Sequence, residues 1–96
     1  MSEGPELPLV RHLVIANKRG LHARASARFV QCVDGFDAEI TVSRDGHSVA
    51  GNSIMGLMML AAGIGSEIRV EAAGPEAAAA MEAITALVES LFGEED

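Results

Sequence analysis

The chain has no Trp or Tyr and only three Phe among its 96 residues. A core must therefore be assembled from Ala, Val, Ile, Leu and Met, and the flat aromatic platforms on which single-stranded nucleic-acid bases stack are missing. One cysteine, Cys32, excludes an internal disulfide and leaves no partner for a metal knuckle; inside a helix it reads as a small buried hydrophobe. No apolar run reaches the ~18 residues of a membrane-crossing helix, and the opening "MSEGPELP" carries acids where a secretory leader would carry cations. A cytosolic location follows as an expectation. Absent too are a glycine-rich phosphate loop, a nucleophile–His–acid set, paired carboxylates in a motif and close-set metal ligands. Neither a cofactor nor a bound metal is expected.

Acidic residues are also missing from one stretch. Between Leu7 and Val33 there is no Asp or Glu, yet Arg11, Lys18, Arg19, Arg24 and Arg28 all fall there. The net charge of −7 should repel nucleic acid and anionic membranes. A basic patch this small on an acidic protein suits a single anionic group better than a polymer.

What is present is one small domain, about half of it apolar. We place an extended lead-in over residues 1–8, a single domain over 9–92 and a solvated acidic tail over 93–96. "LVRHLVIAN" alternates as a strand, with Leu9, Leu13 and Ile15 on one face and His12 on the other. From Ala23 to about Val33, the spacing of Ala23, Ala27, Val30 and Val33 predicts a helix face. "AEITVSRDGHSVAG" reads as a hairpin about Asp45–Gly46, and Asn52 or Ser53 can cap a short helix closed near Gly63. "SEIRVEAAG" is a strand with Ile68, Val70 and Ala72 inward. Pro75 opens a last helix with Ala77, Met81, Ile84, Val88 and Leu91 buried and Thr85 outside. The order βαββαβα suits one antiparallel sheet with helices packed on one face. Nothing suggests an oligomer.

The basic patch surrounds one histidine. In "NKRGLHARASARF" Gly20 permits a sharp turn, and His22 stands just before a helix whose first N–H groups favour negative charge. Arg24 falls in that first turn, Arg28 four residues on along the same side, and Lys18 and Arg19 in the loop before. A neutral imidazole can accept a phosphoryl group, and Arg offers forked donors to phosphate oxygens. The same spacing also fits a cap or a solvated surface histidine; His12 and His47 have no basic company and read as surface residues.

"GLHARAS" at residues 20–26 followed by "NSIMGLMMLAAGIGSEI" at 52–68 resembles the HPr family, the histidine phosphocarriers of the bacterial phosphoenolpyruvate-dependent phosphotransferase system. The similarity runs from about Leu13 to Leu91. It implies an α+β, HPr-like open-faced sandwich, with four antiparallel strands and three helices on one face. It further implies a carrier that is phosphorylated by enzyme I on His22 at Nδ1, with Arg24 steadying the phosphate, and that hands the group to EIIA proteins or domains. Ser53 matches the serine that a dedicated HPr kinase/phosphorylase modifies in some bacteria. "GFDAEITVSRDG" and "VEAAGPEAAAAMEAI" are closer to the nitrogen-branch (NPr) type and "SIMG" to the sugar-branch and serine-regulated members. A combined form, fed by a nitrogen-type enzyme I and watched by an HPr kinase, is the expectation. One departure is Ala25 and Ser26 where the family motif continues with proline and alanine; alanine keeps the first turn intact, and Ser26 can add a polar contact.

Leu21, Ile54 and Met55, ringed by Arg24 and Arg28, are the expected partner surface, with Leu57 equally suited to the core. Two alternatives stay open. One is a regulatory docking module controlled at Ser53 with His22 idle; the other is a small domain that binds a free anionic metabolite at Arg24 and Arg28.

Overall fold

The computed structural model describes residues 8–94 of the chain. The lead-in expected over residues 1–8 therefore lies, apart from Pro8, outside the described residues, as do Glu95 and Asp96 of the expected tail.

Period-2 patterning builds four strands: β1 (Leu9–Val14), β2 (Glu39–Arg44), β3 (His47–Ala50) and β4 (Glu67–Ala73). They form one antiparallel sheet in the order β1-β4-β2-β3. Asp45 (φ 52°) and Gly46 (φ 83°) both take the left-handed conformation that a two-residue hairpin turn requires, which pairs Arg44 with His47. Ile40, Val42, Ile68, Val70 and Ala72 are buried on the inner face. On the outer face His12 is exposed and Arg69 pairs with Glu71. Covering the inner face are α1 (Ala23–Asp34), α2 (Ile54–Met59) and α3 (Ala77–Glu89), closed by a single 3-10 turn at Leu91–Gly93. This is the open-faced sandwich expected from the element order.

The helices differ in detail from their expected faces. In α1 the buried residues are Ala25, Ser26, Phe29 and Val33, while Ala23 is exposed and Ala27 and Val30 are half-buried. Phe29, with Phe92, is one of the two largest fully buried side chains, and seating it rotates the helix away from the alanine-led stripe. α2 stops at Met59, because Leu60 turns into the core and Ala61 reverses the chain at φ 53°. Pro75 sits in the turn before α3, which begins at Ala77. Ala77, Met81, Ile84 and Val88 are buried as expected, joined by Ala80, whereas Leu91 is only half-buried. Thr85, expected outside, is half-buried: it donates to the Met81 carbonyl at 2.8 Å and accepts from the Arg11 guanidinium at 2.8 Å. Leu9, expected inward, is exposed, since it opens a strand at the sheet's edge. Cys32 is half-buried and unpaired, and burial pushes its thiol pKa up, away from the thiolate a reactive cysteine needs.

No helix among the described residues is long and apolar enough to cross a membrane.

Candidate functional site

β1 leads into Ile15, whose side chain is fully buried and whose N–H donates to the Ser66 carbonyl at 2.8 Å. The chain must then turn sharply to reach α1. Gly20 makes that turn at φ 65°, and a Cβ on it would lie 2.3 Å from the Ala62 carbonyl oxygen and 2.8 Å from the Gly63 Cα. Only glycine fits there, for both reasons. The Leu21 N–H donates to that same Ala62 carbonyl at 2.9 Å. The turn after α2 thus supports the loop that carries His22.

This docking corrects one expectation. Leu21 is buried, at 5% exposure, because its backbone is drawn against Ala62 and its side chain follows into the core. It belongs beneath the site and not on a partner surface. Ser26, also fully buried, donates from Oγ to the Leu21 carbonyl at 3.2 Å. That bond fastens the loop to the first turn of α1 at the position following Ala25.

His22 takes the cap position of α1 with extended backbone, and its carbonyl accepts the Ser26 N–H at 2.9 Å. Its ring makes no cap bond, so the first N–H groups of the helix keep their positive end free for another acceptor. Arg24 is exposed in this first turn and has no side-chain partner among the described residues. Lys18 and Arg19 are exposed in the preceding turn. Arg28 is differently used: its guanidinium donates to the Phe92 carbonyl, tying the closing turn to α1. One arginine of the expected anion seat is free and the other is engaged.

Two site residues escaped the sequence reading. Asn17 is fully buried; its Nδ2 donates to the Gly20 carbonyl at 2.8 Å and to Glu94 Oε1 at 3.2 Å, while its Oδ1 is buried with no partner among the described residues. Glu94, expected in a solvated tail, folds back instead and places Oε2 against His22 Nε2. The reversal comes from Leu91 (φ 61°), Phe92 (φ 55°) and Gly93 (φ 76°), all left-handed. For the two non-glycine residues such backbone costs about 1–3 kcal/mol each; full burial of the Phe92 ring and the Arg28 bond hold it in place. Burial of Glu94 pushes its carboxyl pKa up, but hydrogen bonds from His22 and Asn17, with the charges of His22 and Arg19, outweigh that and hold it below the usual carboxylate range. Asn17 has a faint signal in the sequence, a polar side chain ending an apolar strand. Glu94 has none, since an acid in an acidic tail looks like any other.

α2 packs beside α1. Ser53 caps it, its Oγ accepting the Gly56 N–H at 2.9 Å. Ile54 and Met55 are exposed as expected, Met55 at 72%. Leu57 is fully buried, which settles it in the core. Met58, Met59 and Ile64, which the sequence reading passed over, are exposed too, the two methionines on α2 with Ile54 and Met55. Two surface grooves lie elsewhere, one lined by Val33, Ile40 and Val49 and one by His12, Arg44 and Arg69; neither includes His22. Among the described residues no cluster of His, Cys, Asp and Glu could hold a metal ion.

The family model described as the PTS HPr component phosphorylation site matches residues 9–90. The chain is 50% identical to the phosphocarrier protein HPr of Cupriavidus necator over 90% of its own length and 97% of the relative's. It is 42% identical to the phosphocarrier protein NPr of Shewanella violacea over 90% of its length and 94% of the relative's. Among solved structures, HPr-C-His from Thermoanaerobacter tengcongensis superposes with a TM-score of 0.87 at 40% identity, covering 92% of this chain and 99% of that one.

Proposed function

Because this chain belongs to the HPr family of phosphotransferase-system phosphocarriers, we propose that His22 receives a phosphoryl group from phosphorylated enzyme I and passes it to EIIA-type acceptors. The observation that carries this reading is the uncapped start of α1, with the His22 ring at its tip and an exposed Arg24 in its first turn. The Nδ1 lone pair attacks phosphorus as the bond to the donor breaks, and the donor keeps that electron pair. Helix N–H groups and the Arg24 fork meet the phosphate oxygens; when an acceptor nucleophile attacks phosphorus, the Nδ1–phosphorus bond breaks and its electron pair returns to Nδ1. Nothing in this exchange asks for a metal or a cofactor.

Incubation with phosphoenolpyruvate and enzyme I tests it. The wild type should gain an acid-labile, base-stable phosphate and His22→Ala none. Equal labelling of the variant would remove His22 from the role.

Ile54 and Met55, with Met58 and Met59 beside them, form the proposed docking face. Methionines adapt to several partner shapes, which fits a carrier that must leave one partner for the next. Similarity to both HPr and NPr relatives supports the combined form, fed by a nitrogen-type enzyme I. Ser53 borders the docking face, and phosphate there would add nearly two negative charges and displace the Gly56 cap. A Ser53→Asp variant should accept phosphate from enzyme I more slowly. A docking module working through Ser53 alone would instead keep its partner binding in His22→Ala.

A further inference from the structure

We infer that Glu94 is a positioning residue for His22: its carboxylate accepts a hydrogen bond from Nε2–H, fixes the ring tautomer and leaves Nδ1 bare as the nucleophile. The inference rests on the phosphocarrier reading of His22 and adds to it a residue beyond the motif, from the end of the chain.

Three observations carry it. The carboxylate meets the imidazole at Nε2, while Nδ1 has no partner among the described residues. A ring nitrogen that donates to a carboxylate must hold the proton, so in the neutral ring the other nitrogen carries the lone pair. The carboxylate is itself held: Asn17 Nδ2 grips Oε1 at 3.2 Å from a fully buried site. Finally, the closing turn that delivers it is anchored by the buried Phe92 ring and the Arg28–Phe92 carbonyl bond. Left-handed backbone at Leu91 and Phe92 persists only where surrounding contacts enforce it. The contact is therefore a built feature of the fold and not a loose end resting on the surface.

The chemistry gains in two ways. As the Nδ1–phosphorus bond forms and the donor departs with its electron pair, the Nε2 proton stays on the ring, which becomes cationic. Glu94 faces that developing charge from the far nitrogen, so the ring stands between the carboxylate and the phosphate. Glu94 also removes the rotational freedom the ring would spend on reaching an attack geometry.

The test uses the full chain, 15N-labelled and unphosphorylated, with the imidazole nitrogens of His22 read by NMR. In its neutral form the wild-type ring should carry its proton on Nε2 alone. Glu94→Ala should show a mixture of tautomers, and Glu94→Gln, which keeps an acceptor, should restore the single form. Loss of one charge-assisted hydrogen bond corresponds to about tenfold slower phosphorylation by phosphorylated enzyme I for Glu94→Ala, with Glu94→Gln intermediate. Glu94 lies past α3, so the alanine variant leaves the core intact. An unchanged tautomer in Glu94→Ala, or phosphorylation as fast as the wild type's or faster, would overturn the assignment. Should the wild type and all variants fail to take phosphate, the carrier reading itself falls.

Discussion

Two helix starts lie side by side in this molecule and are finished in opposite ways. At α2, Ser53 turns its own hydroxyl onto the Gly56 N–H and closes the helix end. At α1, the cap residue is His22, whose ring turns to Glu94 and makes no bond to the helix. The first end is satisfied locally and is surrounded by exposed Ile54, Met55, Met58 and Met59. The second is left open, and its loop is supported from outside by Gly20 against Ala62, Ser26 against Leu21 and Asn17 against Gly20. A helix end that is to hold a passing anion must not be plugged by its own sequence, so its order has to come from elsewhere in the fold. The closed end can serve as a surface to dock against.

The comparison breaks most severely at Gly20. Gly20→Ala forces a Cβ into the Ala62 carbonyl at a left-handed position and should cost at least about 3 kcal/mol, lowering the Tm by roughly 15 °C; thermal unfolding followed by circular dichroism measures it. Phosphorylation at a temperature where the variant is still folded should fall as well, because His22 is displaced.

Arg24→Ala leaves the scaffold alone and removes the free guanidinium, whose hydrogen bonds to phosphate are worth about 1.5–3 kcal/mol. Phosphotransfer from enzyme I should slow by one to two orders of magnitude with no change in Tm; an unaltered rate would mean that the helix N–H groups suffice.

Ser53→Ala removes the local cap and should destabilise the protein by about 1 kcal/mol, seen in denaturant unfolding, while phosphorylation of His22 proceeds. A large rate loss would show that the two helix starts are coupled.

The smallest effect is on acidification. Because the Glu94 carboxyl is held low by His22, Asn17 and Arg19, its contact contributes fully above the ordinary carboxylate range. That contribution disappears as pH falls through the lower folded value. Amide exchange at Leu91–Gly93 should rise in acid before the rest of the fold loosens.

The antiparallel sheet, the Asp45–Gly46 turn and the three helices were legible because each depends on short-range rules: alternation, helical spacing and turn chemistry within a few residues. His22 and Arg24 were legible for the same reason, lying two residues apart in one segment with a glycine before them. The face of α1 was not, because neighbours distant in sequence decided which residue filled the space, and Phe29 took it. Leu21 was misplaced on the surface by the same blindness: its burial depends on Ala62, a residue far along the chain.

Composition, periodicity and one motif thus determined which elements form, in which order, and which imidazole stands at a helix tip. The tertiary structure alone decided that the tip is braced by the turn after α2, that Arg28 is committed to the chain's end, and that Glu94 returns to the histidine. The physical reason is reach: a cap, a turn or a repeat is settled by atoms within one helical turn, whereas the Asn17–Glu94 and His22–Glu94 bonds join residues more than seventy positions apart and exist only once the core between them has closed.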